Sequence, residues 1–328
     1  MGFELRDATV DDFGGCIPLM PKRMCDPGRR DALRMMWREI LVARSGLGFV
    51  ATDPAQNSRV VHFGFAVFVS DSHAREYRRC VTPMVARRLT AEWADGARPF
   101  LSAGEIARAN AADGLNALVT HYGSVHGDDA FDDRIRAADY ESSRRAFLGW
   151  NLRSFTIEVF DRQRSTDEWG ESLGFRVSHY CAEALRGAGV TQAEAPCVWT
   201  STREEAIANR GYAVGVLFAS FVPPRCGFTP GEQNILRHAL DGKTDEAIAR
   251  AGSISLATAK KRFRTIYEKV RDGVPQAASL FSESLTEGAR GAEARRLLLN
   301  YIREHPEELR PYDAGQASVA ELRRGHAS

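Results

Sequence analysis

Six lysines and arginines stand against one glutamate between Leu256 and Arg271, in a chain of 328 residues whose net charge is only +1. Placed about 100° apart, as successive residues of a helix are, these side chains sort into two faces. Ala259, Phe263, Ile266, Tyr267 and Val270 form one apolar stripe, the spacing of a helix side that packs on a core. Thr258, Lys261, Arg264 and Thr265 lie opposite it, and Lys260, Arg262 and Lys269 lie on the flanks. A helix with cations and hydroxyls on its outer side meets two demands of duplex DNA: neutral phosphate rims and hydrogen bonds to base edges in the major groove. These seven residues are the expected DNA contacts. Lys261, Thr258 and Thr265 are expected at bases, and Lys260 and Lys269 at phosphates.

The elements that position this helix are punctuated in the sequence. Thr229-Pro230-Gly231-Glu232 is a capping box with proline at the first helical position. The helix it opens carries Ile235, Leu236, Ala239 and Leu240 on one side and stops at Gly242. Thr244 caps a second, short helix with Asp245 and Glu246 in its first turn, where the macrodipole favours acid. Gly252 supplies the turn and Ser255 caps the basic helix. Two short helices joined by a glycine-containing turn make a helix-turn-helix.

With these spacings, residues 228–271 resemble the LuxR-type (GerE-like) DNA-binding domain of bacterial transcription regulators. The resemblance rests on Phe228, Thr229 and Glu232 at the opening, Gly242, then Glu246-Ala247-Ile248-Ala249 with one residue inserted. It continues through Ile254-Ser255-Leu256-Ala257-Thr258-Ala259-Lys260 and Ile266-Tyr267-Glu268-Lys269-Val270. Arg262, Ala259 and Gly231 depart from the usual His, Val and Arg. The resemblance implies a cytoplasmic transcription regulator that binds double-stranded DNA as a homodimer. The family adds a dimerising helix, which the run from Ala292 to Glu304, with Leu297, Leu298, Leu299, Tyr301 and Ile302, would extend.

The first 222 residues read as a mixed α/β domain: a short strand at Phe3, a helix over 29–44, then strands at Gly48–Thr52 and Val60–Ser70 around the hairpin loop 53–57. Further strands are expected at Ala117–Tyr122 and Gly211–Val222. The order, and Trp169-Gly170-Glu171-Ser172-Leu173-Gly174-Phe175, resemble the GNAT acetyltransferase fold. That family grips the diphosphate of acetyl-coenzyme A with a glycine-rich turn at a helix N-terminus. The corresponding stretch from Pro83 to Gly96 has no glycine before Gly96. On that ground the domain is expected to be non-catalytic, with no catalytic residue and no cofactor, and to sense a small molecule or partner. A pocket lined by Phe147, Trp150, Asn151, Arg153 and Trp169 would hold such a ligand. An active GNAT-type acyltransferase with an appended DNA-binding module is the alternative, and a module that contacts RNA or protein through the basic helix is a further rival.

Pro223-Pro224-Arg225-Cys226-Gly227 is the expected linker, residues 228–274 the DNA-binding domain, 275–312 a helical extension and 313–328 a disordered tail. The six cysteines and eight histidines show no metal-ligand spacing, with His121 and His126 falling in a loop-like stretch, so no metal site is expected. No apolar run reaches the ~18–20 residues of a membrane span, and the acidic, mixed N-terminus is no signal peptide.

Overall fold

The computed structural model describes residues 2–160, 166–209, 211–219, 221–274 and 290–315. The chain divides into two compact units, residues 1–109 with 113–220, and residues 110–112 with 221–328.

The first unit is built on a seven-stranded sheet: β1 Glu4–Asp7, β2 Gly46–Asp53, β3 Arg59–Val69, β4 Leu115–Ser124, β5 Leu152–Val159, β6 Arg176–His179 and β7 Cys197–Thr202, in the order 1-2-3-4-5-7-6. All neighbours are antiparallel except β4 and β5, which run parallel from Leu115–Leu152 to Val119–Ile157. A parallel pair needs a crossover, and the helix Asp129–Phe147 supplies it. β3 is buried along nearly its whole length because both its faces are covered. On one face lie the helices Phe13–Cys16 (α1), Arg30–Ala43 (α2), Asp71–Arg78 (α3) and Val85–Ala94 (α4), packed around Trp37, which stacks on Phe65 with centroids 4.2 Å apart. On the other, Phe68, Phe147, Trp150 and Phe155 form a second core with Ile106 of α5 (Ala103–Ala111). Close approach of β2 and β3 requires Gly64, where a Cβ would lie 2.3 Å from the Phe49 ring.

Beyond the crossover helix (α6), α7 spans Thr166–Ser172, α8 Ala182–Gly187 and α9 Arg203–Ala208. The strand expected at Gly211–Val222 does not form among the described residues. Gly215–Ala219 is a short helix (α10), and Val214, Leu217 and Phe218 face the second core at i, i+3 and i+4. That spacing is helical, and the apolar run concealed it.

The second unit contains α11 Pro230–Leu240, α12 Asp245–Ala251, α13 Leu256–Gly273 and α14 Arg290–Glu304. Thr229, Thr244 and Ser255 each accept from the amide three residues on, and Glu232 returns the Thr229 cap. Ala294, Leu298 and Ile302 of α14 join Leu236, Ile248, Phe263, Ile266 and Val270 in one core. The buried Glu308 carboxylate accepts from the amides of Arg225 and Cys226 and from the Tyr301 hydroxyl. Residues 316–328, most of the expected tail, lie outside the described residues. Among the described residues no helix is long and apolar enough to cross a membrane.

Candidate functional site

Ligands of open α/β sheets gather at the carboxyl ends of parallel strands, which here means the end of β4. Its last residue, Ser124, is paired directly with His62 of β3. Directly opposed residues share a face, and the Ser124 hydroxyl lies 2.8 Å from His62 Nδ1. α6 crosses β2 and β3 on that face and brings Asp139 Oδ1 to 3.1 Å from His62 Nε2, off the N–H axis. His62 is buried, and Ser124 and Asp139 are half-buried. The hydroxyl and the carboxylate thus stand beside opposite nitrogens of one imidazole, with Nδ1 within hydrogen-bonding distance of Ser124 and Nε2 near Asp139 without a hydrogen bond among the described residues. This is the serine–histidine–aspartate relation, with the two ring nitrogens exchanged. Loose alignment is common in such sites before substrate binds.

The turn that follows, Val125 to Asp128, leads into the N-terminus of α6. Asp128 accepts from the Phe131 amide at 2.8 Å, and Asp132 from the Gly127 amide at 2.9 Å. With Asp129 and Asp133, four aspartates crowd the first turns, and Arg136 pairs with Asp133. The Gly127 and Phe131 amides are thus engaged by the chain's own carboxylates.

Just before this end, β4 carries a bulge. Phe65 pairs with His121 and Ala66 with Val119, leaving Thr120 as the extra residue. His121, expected in a loop, is therefore a fully buried strand residue. Trp37 Nε1 donates to its Nδ1 at 3.3 Å, its Nε2 has no partner, and burial pushes its pKa down to about 3. Past Val119 and Ile157 the parallel strands part, and Tyr122 fills the gap. Its hydroxyl accepts from the Phe160 amide at 3.0 Å and donates to the Glu158 carbonyl at 3.3 Å. The Glu158 carboxylate accepts from the Met84 and Val85 amides and from the Tyr180 hydroxyl, each at 2.8 Å. It thus caps α4, whose entry residue Met84 holds a left-handed φ of 63°. Burial raises the Glu158 pKa to about 7 against the pull of these donors.

These placements correct the argument for a non-catalytic domain. Pro83 to Gly96 contains α4, whose N-terminus is capped by Glu158, so its lack of glycine says nothing about a substrate turn. The helix that follows a parallel strand is α6.

The aromatic and polar residues expected around a ligand do not meet at one cavity. Phe147 and Trp150 are core residues, against Phe155 and Phe68 respectively. Asn151 is buried and accepts from Arg203, and Arg153 pairs with Asp71 at 2.8 Å. Trp169 sits edge-on to Trp199 with centroids 5.2 Å apart. Sequence reading missed Ser124, His62 and Asp139, which only the β3–β4 register and the path of α6 unite. The available signal was a histidine and a serine interrupting two apolar strands.

In the second unit, Ala259, Phe263, Ile266 and Val270 are buried. Lys260, Lys261 and Arg264 are exposed, while Thr258, Arg262, Thr265 and Lys269 are half-buried. Thr258 shares a hydroxyl hydrogen bond with Ser255, and Thr265 donates weakly to the Lys261 carbonyl. Lys269 is engaged internally, donating to Glu232 at 2.7 Å and to the Gly227 carbonyl at 3.0 Å. Of the cysteines only Cys181 is exposed, and burial pushes Cys16 and Cys226 up to about 12. No cluster that could hold a metal occurs among the described residues.

No family model matches the chain, and no curated protein matches it. Solved structures do. A histone acetyltransferase HPA2 and related acetyltransferase from Corynebacterium glutamicum is 13% identical, covering 62% of this chain and 97% of that one, with a TM-score of 0.32. An agmatine N-acetyltransferase is 13% identical over 62% of this chain and all of that one, with a TM-score of 0.31. A polyamine N-acetyltransferase from Drosophila melanogaster is 13% identical, covering 61% and 99%, with a TM-score of 0.31. These neighbours are named as acetyltransferases, against the expectation of a chain without enzymatic activity.

Proposed function

We propose that the α/β unit is an acyl-transfer enzyme, carried by a helical unit that binds double-stranded DNA. The first half of this reading rests on the chain of contacts from Ser124 through His62 to Asp139 at the end of β4. Ser124 Oγ attacks the carbonyl carbon of an activated acyl group, such as the thioester of acetyl-coenzyme A. His62 Nδ1 takes the hydroxyl proton, and Asp139 stabilises the imidazolium. Collapse of the tetrahedral adduct breaks the bond to the thiol, which leaves with the proton from His62. An amine then repeats the sequence on the seryl ester, returning Ser124 to its hydroxyl form. The aspartates of the α6 turn favour a cationic amine as acceptor, the kind of substrate that the agmatine and polyamine enzymes are named for.

Release of free thiol from acetyl-coenzyme A in the presence of spermidine or agmatine tests this. Ser124→Ala should lower the rate about 100-fold or more at unchanged melting temperature. Absence of thiol release from the unaltered protein, or undiminished turnover in Ser124→Ala, removes the assignment.

A separate observation supports the DNA-binding half. Lys260, Lys261 and Arg264 project from α13 into solvent, and none forms an ion pair with a described residue. One short reading helix spans few base pairs, so useful specificity calls for two copies about a two-fold axis. We read the unit as that of a homodimeric transcription regulator. Selection of bound duplex fragments should return a two-fold symmetric site, with two chains per duplex by mass. A single chain on an asymmetric half-site would count against the dimer.

A further inference from the structure

An open groove of about 720 Å³ lies in the α/β unit between α3 and the edge strand β6. Arg75, Arg78 and Arg79 line it from the end of α3, and Arg176 lines it from β6, with Ser72 and Ser178 between them. Glu76, the acid in the wall, is held by Arg88 at 2.9 Å. Arg75, Arg78 and Arg79 form no ion pair with a described residue, and Arg176 reaches only Glu205, at 3.9 Å.

Two ordinary reasons for these charges can be weighed. Arginines near a helix C-terminus complement its dipole, and a charge on an edge strand discourages sheet extension. Neither accounts for arginines from two separate elements lining one groove. Four cations around a shared space repel each other, and one monovalent anion does not offset them. Closely spaced phosphates do, because each guanidinium presents a planar fork that fits phosphate oxygens in pairs. The groove's volume falls within the range of small-molecule sites.

We propose that this groove binds a small molecule carrying several adjacent phosphates. The assignment stands on the groove alone and is independent of acyl transfer at Ser124. It differs in sign from the α6 turn, where aspartates accept from the Gly127 and Phe131 amides.

Calorimetric titration of the full chain with tripolyphosphate, ATP and orthophosphate tests it, with a random-sequence duplex as a further arm. Tripolyphosphate and ATP should bind, and orthophosphate should bind at least tenfold more weakly. The double substitution Arg79→Ala with Arg176→Ala should weaken polyphosphate binding at least tenfold. Arg38→Ala, on the exposed side of α2, should not change it, and Ser124→Ala should bind like the unaltered chain. ATP binding well above tripolyphosphate adds the nucleoside to what is recognised, and equal affinities assign recognition to the phosphates. The proposal fails if no polyphosphate binds, if the double variant binds as before, or if the substitutions affect only the duplex.

Discussion

Lys260 and Lys261 are adjacent in sequence but about 100° apart around α13, and that angle separates two kinds of contact. Lys261→Ala should cost about 1–3 kcal/mol on the preferred site and relax sequence preference, as loss of a base contact does. Lys260→Ala should weaken all sequences alike and lower the salt slope by about one. Affinities on selected and random duplexes at several salt concentrations compare them, and identical behaviour would mean that the helix is rotated from this placement. Lys269 shows how far sequence alone carries at this scale. Helical spacing placed it on the flank, but its bond to Glu232 ties α13 to α11 and makes it part of the fold's support. Ser124, His62 and Asp139 were illegible for the opposite reason. Separations of 62 and 15 residues from Ser124 carry no local periodicity, and only strand register makes them neighbours.

At the scale of elements, punctuation was legible where capping chemistry is local. The caps at Thr229, Thr244 and Ser255, the hairpin of β2 and β3, and the apolar stripe of α13 all stand in the fold as their residues required. What failed was the apolar run at 211–222, because hydrophobicity without alternation does not distinguish a buried strand from a buried helix. The capping of α4 by Glu158 is likewise invisible in sequence, since the carboxylate comes from a strand more than seventy residues away. It has a measurable signature. The folded chain keeps the Glu158 proton up to about pH 7, whereas the ordinary carboxyl releases it near 4.5. The unfolded chain therefore binds fewer protons across that window, so this group's contribution to stability is full below pH 4.5 and declines as pH rises to about 7. The decline is at most about 3 kcal/mol. Urea unfolding at a series of pH values should show the stability of the unaltered chain falling relative to Glu158→Gln across this window and levelling above it. A difference that stays constant with pH would contradict the protonated state.

For the whole molecule, the sequence divided an α/β part from an α-helical part because apolar periodicity changes from two to 3.6 between them. Each unit encloses its own core, around Trp37 and Phe68 in the first and around Phe263 and Leu298 in the second. Two calorimetric transitions are therefore expected. Phe263→Ala, which removes a core ring worth about 3–5 kcal/mol, should lower one of them and leave the other in place; a single transition that shifts as a whole would show the cores to be coupled. The contact of Glu308 with Arg225 and Cys226 has a consequence for heredity more than for stability. It places the entry of the helical unit beside the turn that follows α14, and Gln233 reinforces the closure by donating to the carbonyls of Glu308 and Arg310. A module closed on itself in this way brings its own core and its own closure to whatever chain it is joined to. Recombination can move such a unit without having to redesign it.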